Sequence, residues 1–345
     1  MSDYSLDFPF AHGEPLGSAS FRSVPEDFVV DESLGFEPQG NGEHLLLHIQ
    51  KRNQNTRWVA EQLAQIADIK AMDVGYCGMK DRRAVTSQWF SLYLPKKELN
   101  LQAVEALEGV TLLASGRHPK KLRRGDHQSN HFIIRLRELT ADHSLLEQRL
   151  AFIAEQGVPN YFGEQRFGHD AGNLREFEQK FVGQSGDARS RNRQRGRRGG
   201  RSSGGGQSGI YLSAGRSYLF NRILATRMKQ HSWNKPLEGE ELPTGAMWGR
   251  GRHQGSEARV ALEQQVADSL PGWGDALEHS GLSQERRDLV LHPQNLQWQF
   301  ESNDLVLSFG LLPGCFATSV LRELTELNTA HSGRDIVGHL DNHNN

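Results

Sequence analysis

The sequence predicts an α+β fold with a mixed, mostly antiparallel sheet. Strand-like alternation recurs along the first 155 residues, with single helices between the strands in an order dominated by hairpins. That alternation stops near residue 156 and returns at Asp304, so the chain leaves the sheet, builds something else and comes back. At 345 residues the chain is long enough for a sizeable core and for more than one domain.

Taken in order, residues 1–20 read as a loose leader. "DFVVDE" (Asp27 to Glu32) and "EHLLLHIQ" (Glu43 to Gln50) read as strands, the second with Leu45, Leu47 and Ile49 on one face. Asn55 and Thr56 are placed to cap a helix from Arg57, whose Val59, Leu63 and Ile66 fall at helical spacing. A strand near Val74 to Cys77, a charged turn from Gly78 to Arg83 and a strand from Val85 to Leu94 follow. "TLLAS" (Thr111 to Ser115) and "NHFIIRLREL" (Asn130 to Leu139) are strand-like. In the second, Asn130, Phe132, Ile134 and Leu136 share one face, and His131, Arg135 and Arg137 the other. A helix from Ala141 to Gln156 closes this part. Beyond it, Arg189 to Gly209 is Arg, Gly and Ser with little to bury, and is expected to be a mobile loop. "SYLFNRILATRM" reads as a helix on Leu219, Ile223 and Leu224, and "DLVLSFGL" (Asp304 to Leu311) as a strand. A final helix from Thr318 to Leu327 and a frayed tail are expected.

Several function classes are disfavoured. No run approaches the roughly 18 apolar residues of a membrane helix. The start, "MSDYSLDFPFAHGEPLGS", lacks the basic and apolar regions of a secretory signal, so a cytoplasmic protein is expected. Two cysteines, Cys77 and Cys315, give neither a disulfide framework nor a cysteine-based zinc site. His118, His127 and His131 invite a metal, but residues four apart on a strand lie about 13 Å from each other, and no metal is expected. "GRGRHQG" (Gly249 to Gly255) lacks phosphate-loop spacing. The net charge of −2 conceals two basic blocks, "KKLRRG" (Lys120 to Gly125) and "RSRNRQRGRRGGR" (Arg189 to Arg201). Screening lets such local patches bind RNA on a near-neutral protein; the second is a candidate auxiliary RNA contact.

The stretch "YCGMKDRRAVTSQWFSL" (Tyr76 to Leu92) sets Asp81 among Lys80, Arg82 and Arg83 at a hairpin tip. By itself the pattern fits a surface turn or a catalytic carboxylate. Asn130 and Phe132, a polar amide beside an aromatic, fit either a strand cap with ordinary core or a platform for a pyrimidine.

The same stretch resembles the signature of the tRNA pseudouridine synthase D family, Gly-x-Lys-Asp followed by Ala-x-Thr-x-Gln, met here by Gly78, Lys80, Asp81, Ala84, Thr86 and Gln88. "PEDFVVDE", "KRNQNT", "NHFIIRLR", "PNYFGEQRFG", "GRSYLFNRILATR" and "LPGCFATSVLREL" match further blocks in order, so the resemblance spans nearly the whole chain. It implies a catalytic domain of pseudouridine-synthase type with an inserted α/β domain. The expected boundaries are 1–155 and 291–330 for the catalytic domain, 156–290 for the insertion with the Arg/Gly-rich loop at about 185–209, and 331–345 for a tail.

The resemblance implies isomerisation of uridine 13 in the D-arm of tRNA to pseudouridine, without cofactor or metal, by a monomer. Asp81 is then the nucleophile, and Arg22, where the family often has Lys, its basic partner. Phe132 is the stacking aromatic and Asn130 binds the pyrimidine edge. Phe28 and Phe316 line the pocket, while Lys80 and Gln88 orient the loop or the RNA. Arg166 is a candidate phosphate contact, and Phe162, Phe167 and Phe220 are expected to be structural. Two other classes compete: a non-catalytic RNA-binding protein or RNA chaperone, and a glycosidase drawing a second carboxylate from Glu26, Asp27 or Glu32.

Overall fold

The computed structural model describes residues 4–182, 205–252 and 255–329; the expected Arg-rich loop at Arg189 to Arg201 and the C-terminal tail lie outside them. The chain forms two compact units. Of the described residues, one comprises 15–154, 293–317 and 324–329, and the other 4–14, 155–182, 205–252, 255–292 and 318–323.

The first unit is built on the strands β1 (Ser18–Phe21), β2 (Phe28–Ser33), β3 (His44–Arg52), β4 (Val74–Tyr76), β5 (Val85–Tyr93), β6 (Val110–His118) and β7 (Ser129–Arg137). Among the described residues, the other unit contributes β8 (Val158–Pro159), β9 (Thr244–Met247), β10 (Glu285–Asp288) and β11 (Val290–Leu291). The chain then returns to the first unit with β12 (Gln294–Glu301), β13 (Asp304–Leu311) and β14 (Glu326–Thr329).

Ten of these strands form one sheet with the path β12-β13-β7-β2-β5-β3-β6, with β1 beside β7 and β14, and β4 beside β5. Among the described residues, β2–β5 and β1–β14 pair in parallel and the sheet's other pairings are antiparallel, so it is mixed and mostly antiparallel. Its central strands bury both faces. On β3, Leu47 and Ile49 pack with Phe90, Leu92 and the helix Thr56–Ala67 through Val59 and Leu63. Leu46, on the opposite face, packs with Leu34, Cys77, Trp89 and Leu122. Each such side chain contributes about 1.5–3 kcal/mol of transfer free energy. Double-sided burial also explains why "HLLLHIQ" is more apolar than a half-exposed strand needs to be.

The other unit is mainly helical, organised on the long helix Gly205–Lys229, with two short antiparallel ladders, β9–β10 and β8–β11. Phe162, Phe167, Leu219, Phe220, Ile223 and Leu224 are buried there, as structural roles for the phenylalanines require.

Three sequence expectations need correction. Residues 4–21 are not a loose leader. Phe8 stacks on Tyr161 at 5.1 Å, Tyr4 lies against Trp273 at 5.5 Å, and Ala19 and Phe21 are buried in β1. The helix expected from Thr318 to Leu327 stops at Leu321, and Glu326–Thr329 is a strand. β1 offers an unpaired edge, which takes the Glu326 N–H onto the Gly17 carbonyl (2.8 Å) and sets β14 in parallel register. The loop expected through Gly209 is already helical from Gly205, because extending a nucleated helix costs far less than starting one.

Candidate active site

The tip between β4 and β5 carries Asp81, and every described contact that holds it comes from the sheet unit. Arg22, just beyond β1, reaches Asp81 with both terminal nitrogens, at 3.4 Å to Oδ1 and 3.1 Å to Oδ2. The Asp81 side chain remains 46% exposed and is thus available to a ligand. Arg22 has φ +59°, a left-handed conformation that costs a non-glycine residue about 1–2 kcal/mol and collects at functional sites. Its guanidinium lies 4.0 Å from the centroid of Phe28 and 4.8 Å from that of Phe21. Two aromatic faces therefore hold the fork level with the carboxylate.

Beneath the loop lies a buried polar network. Lys51, on β3 and wholly buried, donates from Nζ to the Asp81 carbonyl (2.7 Å) and the Gln54 carbonyl (2.8 Å). Burial pushes its ammonium down to about 8, opposed by the charge of Asp81 and reinforced by that of Lys80. Lys80 turns inward and donates to Glu32 Oε2 (2.6 Å) and to Asn130 Oδ1 (2.7 Å). The other oxygen of Glu32 accepts the Trp89 N–H at 3.0 Å. Thr56 Oγ1 accepts the Lys80 N–H (3.0 Å) and donates to Gln88 Oε1 (2.8 Å), and Gln88 Nε2 donates to the Gly78 carbonyl (3.2 Å). The loop is thus fixed at Gly78, Lys80 and Asp81 by side chains from three elements.

Sheet register gathers the remaining candidates. On β7, Asn130 stands opposite Glu32 of β2, and Phe132 opposite Val30 of β2 and Phe309 of β13. Phe132 stacks on Phe309 at 5.7 Å and meets Phe28 edge-on at 5.9 Å. Asp81, Arg22, Phe28 and Phe132 form one chain of contacts, and Lys80, Glu32 and Asn130 another. Phe28 is core whose ring face is covered by Arg22. Gln88 is fully buried in the loop's support. Phe316 sits partly buried in the turn after β13, beyond Leu311, the residue that pairs with Asn130. In the helical unit, Arg166 donates to Ser213 Oγ at 3.0 Å and lies over Phe162.

Lys51, Glu32 and Thr56 were not singled out from the sequence as holding this loop. The available signal was Lys51 itself, a lysine continuing the apolar face of Leu47 and Ile49. Among the described residues, Glu32, Cys77 and His127 are the one His/Cys/carboxylate trio whose ligand atoms lie within 4.8 Å of one another. Glu32 already holds the Lys80 ammonium, and burial pushes the Cys77 thiol up to about 12. Both features oppose a cation, and His127 instead meets the Asn130 amide through Nε2 at 3.0 Å. His118 and His131 are not part of this trio.

A model of the tRNA pseudouridine synthase D (TruD) family matches residues 10–184. The chain is 48% identical over 336 residues to the tRNA pseudouridine synthase D of Cellvibrio japonicus, covering 95% of each. The chain belongs to the TruD family. Its TruD relative from Marinobacter nauticus is 42% identical over 354 residues, covering 97% of this chain and 98% of the relative. A crystal structure from Methanosarcina mazei that carries the same family name superposes with a TM-score of 0.62 at 20% identity, covering 92% of this chain and 95% of that one. It shares the fold, an α+β architecture on a mixed sheet. No helix among the described residues is long and apolar enough to cross a membrane.

Proposed function

We propose that this protein isomerises uridine to pseudouridine in tRNA, at uridine 13 of the D-arm, with Asp81 as the nucleophile. The sheet unit acts as the catalytic domain and the helical unit as the family-specific insertion. The observation that carries the reading is the Asp81 carboxylate, open to solvent on one side, gripped by Arg22 on the other and pinned through its backbone by Lys51. Such a group is preorganised, since its loop cannot relax away when a substrate arrives.

The reaction breaks the N1–C1′ bond and forms a C5–C1′ bond; N1 gains a proton and C5 loses one. No electrons enter or leave, so the conversion balances without a redox partner. A carboxylate serves each conceivable opening: attack on the base at C6, attack on the sugar at C1′, or removal of a sugar proton. A base must leave its stack to meet a side chain. Phe132, supported from behind by Phe309, is the proposed stacking surface, and Phe316 is proposed to line the same pocket. Asn130 is aimed by Lys80 and His127, which fix its amide to read a pyrimidine edge. Lys80 and Gln88 hold the loop, and Phe28 holds Arg22.

A glycosidase would need a second carboxylate across a cleft. Glu26 is held by Arg52 (2.6 Å), Asp27 is buried against Arg137 (2.7 Å) and Glu32 is buried against Lys80. Burial withdraws Asp27 and Glu32 from that task, and Glu26 is engaged by Arg52. A purely RNA-binding role would require neither the Arg22 strain nor an open carboxylate.

The test compares wild type with Asp81→Asn on unmodified tRNA, with product position mapped along the RNA and binding measured in parallel. Wild type is expected to form pseudouridine in the D-arm. Asp81→Asn should bind tRNA normally and lose roughly a thousand-fold or more in turnover. Wild type that binds tRNA and leaves it unchanged would overturn the enzymatic reading in favour of an RNA-binding protein.

A further inference from the structure

The basic block "KKLRRG" takes no part in the Asp81 site, yet the fold builds a groove around it. Lys120, Lys121 and Arg123 line a cavity of about 850 Å³ together with Phe36, His44 and His118. Its floor is the far end of β3 and β6, where His44 and His118 are cross-strand partners. One wall is the loop after β2. That loop closes down because two glycines permit it. Gly42 has φ +109° and a Cβ there would meet the His118 carbonyl, while a Cβ on Gly116 would come within 2.6 Å of Pro38. The result sets Phe36 parallel to the His118 ring at 5.0 Å, with Phe36 still 40% exposed.

The groove carries three kinds of recognition chemistry. Lys120 and Arg123 are exposed cations, and Lys121 is tied back to the Met72 carbonyl. Phe36 offers an aromatic face. His44 and His118 each have a buried Nδ1 with no hydrogen-bond partner among the described residues, although His118 is only 6% exposed. Burial lowers the affinity of both imidazoles for a proton, with Lys121 acting in the same direction at His44, against Glu43, and Lys120 at His118, so the neutral form is favoured at both. A neutral imidazole pairs with a base edge or a ribose hydroxyl, whereas the cations suit phosphates. Asp126 also lines the cavity; its carboxylate accepts the Arg123 N–H at 2.6 Å and its own N–H donates to the Arg123 carbonyl, and among the described residues the two side chains form no ion pair.

We infer that this groove is a second RNA-binding site, taking a nucleotide of the same tRNA with its base on Phe36 and its phosphates on Lys120 and Arg123. The inference rests on the tRNA reading above. It concerns a different nucleotide from the one isomerised, because His44 and Lys51 stand at opposite ends of β3, roughly 23 Å apart at about 3.3 Å per residue. Between them the basic loop crosses the sheet, anchored by Leu122 in the core and by the Gly125 N–H on the Cys77 carbonyl (2.8 Å). Arg123 and Arg124 therefore mark a cationic track from the groove towards the Asp81 loop.

The experiment measures equilibrium binding of unmodified tRNA across a salt series for wild type, Phe36→Ala and Lys120→Ala/Arg123→Ala, with a short stem-loop around the target uridine as control. Phe36→Ala should weaken tRNA binding by at least about five-fold with the salt slope unchanged, as loss of one stacked base predicts. The double variant should weaken it and flatten the slope of log K against log salt by roughly 1.5, about two phosphates. The stem-loop should bind all three proteins alike, and turnover at saturating tRNA should be unchanged. Unaltered tRNA affinity and slope in both variants would overturn the inference and leave the groove to another occupant, such as an acidic protein segment. Lost turnover with retained affinity would overturn it too. If wild type forms no pseudouridine, the enzymatic reading falls while the groove is still judged by these binding curves.

Discussion

Two loops at opposite ends of β3 are rich in lysine and arginine, and the fold treats their charges in opposite ways. At the Asp81 end, Lys51 and Lys80 are driven into the protein, where each ammonium is consumed by carbonyls, a carboxylate or an amide. At the other end, Lys120 and Arg123 remain in solvent on a loop anchored by Leu122. The first arrangement sacrifices hydration to fix a backbone, and the second keeps charge free for a ligand. Burial, more than residue type, separates a positioning cation from a binding one, and the two classes should respond differently to mutation.

The largest effect is expected at the Lys80–Glu32 pair. Lys80→Met leaves the buried Glu32 without its cation, with the Trp89 N–H as its remaining hydrogen-bond donor among the described residues. Breaking a buried pair from one side costs about 3–5 kcal/mol, so denaturant midpoints should fall steeply. Lys80→Met/Glu32→Leu removes both charges and should recover part of that loss. A single variant as stable as wild type would put Lys80 in the same class as Lys120.

Lys51 is next, and pH isolates it. Its folded pKa, about 8, lies below the ordinary lysine value of 10.5. Below pH 8 both folded and unfolded chains hold the proton, and the cost of burying the charge is borne in full. Between about 8 and 10.5 the unfolded chain binds more protons, so stability rises with pH. The stability of wild type minus that of Lys51→Met should therefore be flat below pH 8 and climb by about 3 kcal/mol at most towards pH 10.5. Turnover of Lys51→Met should drop at saturating tRNA, because the Asp81 carbonyl loses its anchor. A pH-independent difference would mean that Lys51 is solvated.

Arg22 follows. A charge-assisted hydrogen bond contributes about 1.5–3 kcal/mol, so Arg22→Ala should lower single-turnover rates roughly 10- to 100-fold. Arg22→Lys keeps the cation without the fork and should stay within about ten-fold of wild type. Equal losses in both would show that the bidentate geometry, and not the charge, holds Asp81.

The sequence made much of this legible, and unevenly so. β13 is found at its expected bounds because Leu305, Leu307, Phe309 and Leu311 alternate without interruption. The Asp81 tip was legible from the Gly-x-Lys-Asp signature. Its support was not: Glu32 and Lys51 come from strands distant in sequence, and their pairing with Lys80 and the Asp81 carbonyl depends on register. The C-terminal helix was overextended for a related reason. Leu324 and Leu327 fit a helical stripe, but β1 supplied a partner that local spacing cannot reveal. Phe36 carried no signal at all, since its role needs Gly42 and Gly116 to bring two loops together.

The smallest effect completes the contrast. Lys120→Ala and Arg123→Ala remove exposed charges on a loop whose fold depends on Leu122, the Gly125 N–H and the Arg123–Asp126 backbone turn, none of which uses either side chain. Surface substitutions of this kind fall within about 0.5 kcal/mol of zero. Thermal midpoints should accordingly match wild type, while the tRNA salt slope moves. The opposite pattern, a destabilised protein with an unchanged salt slope, would mean that these cations belong with Lys80 as structural charges. A stable protein that has lost affinity is what a surface reserved for phosphate requires.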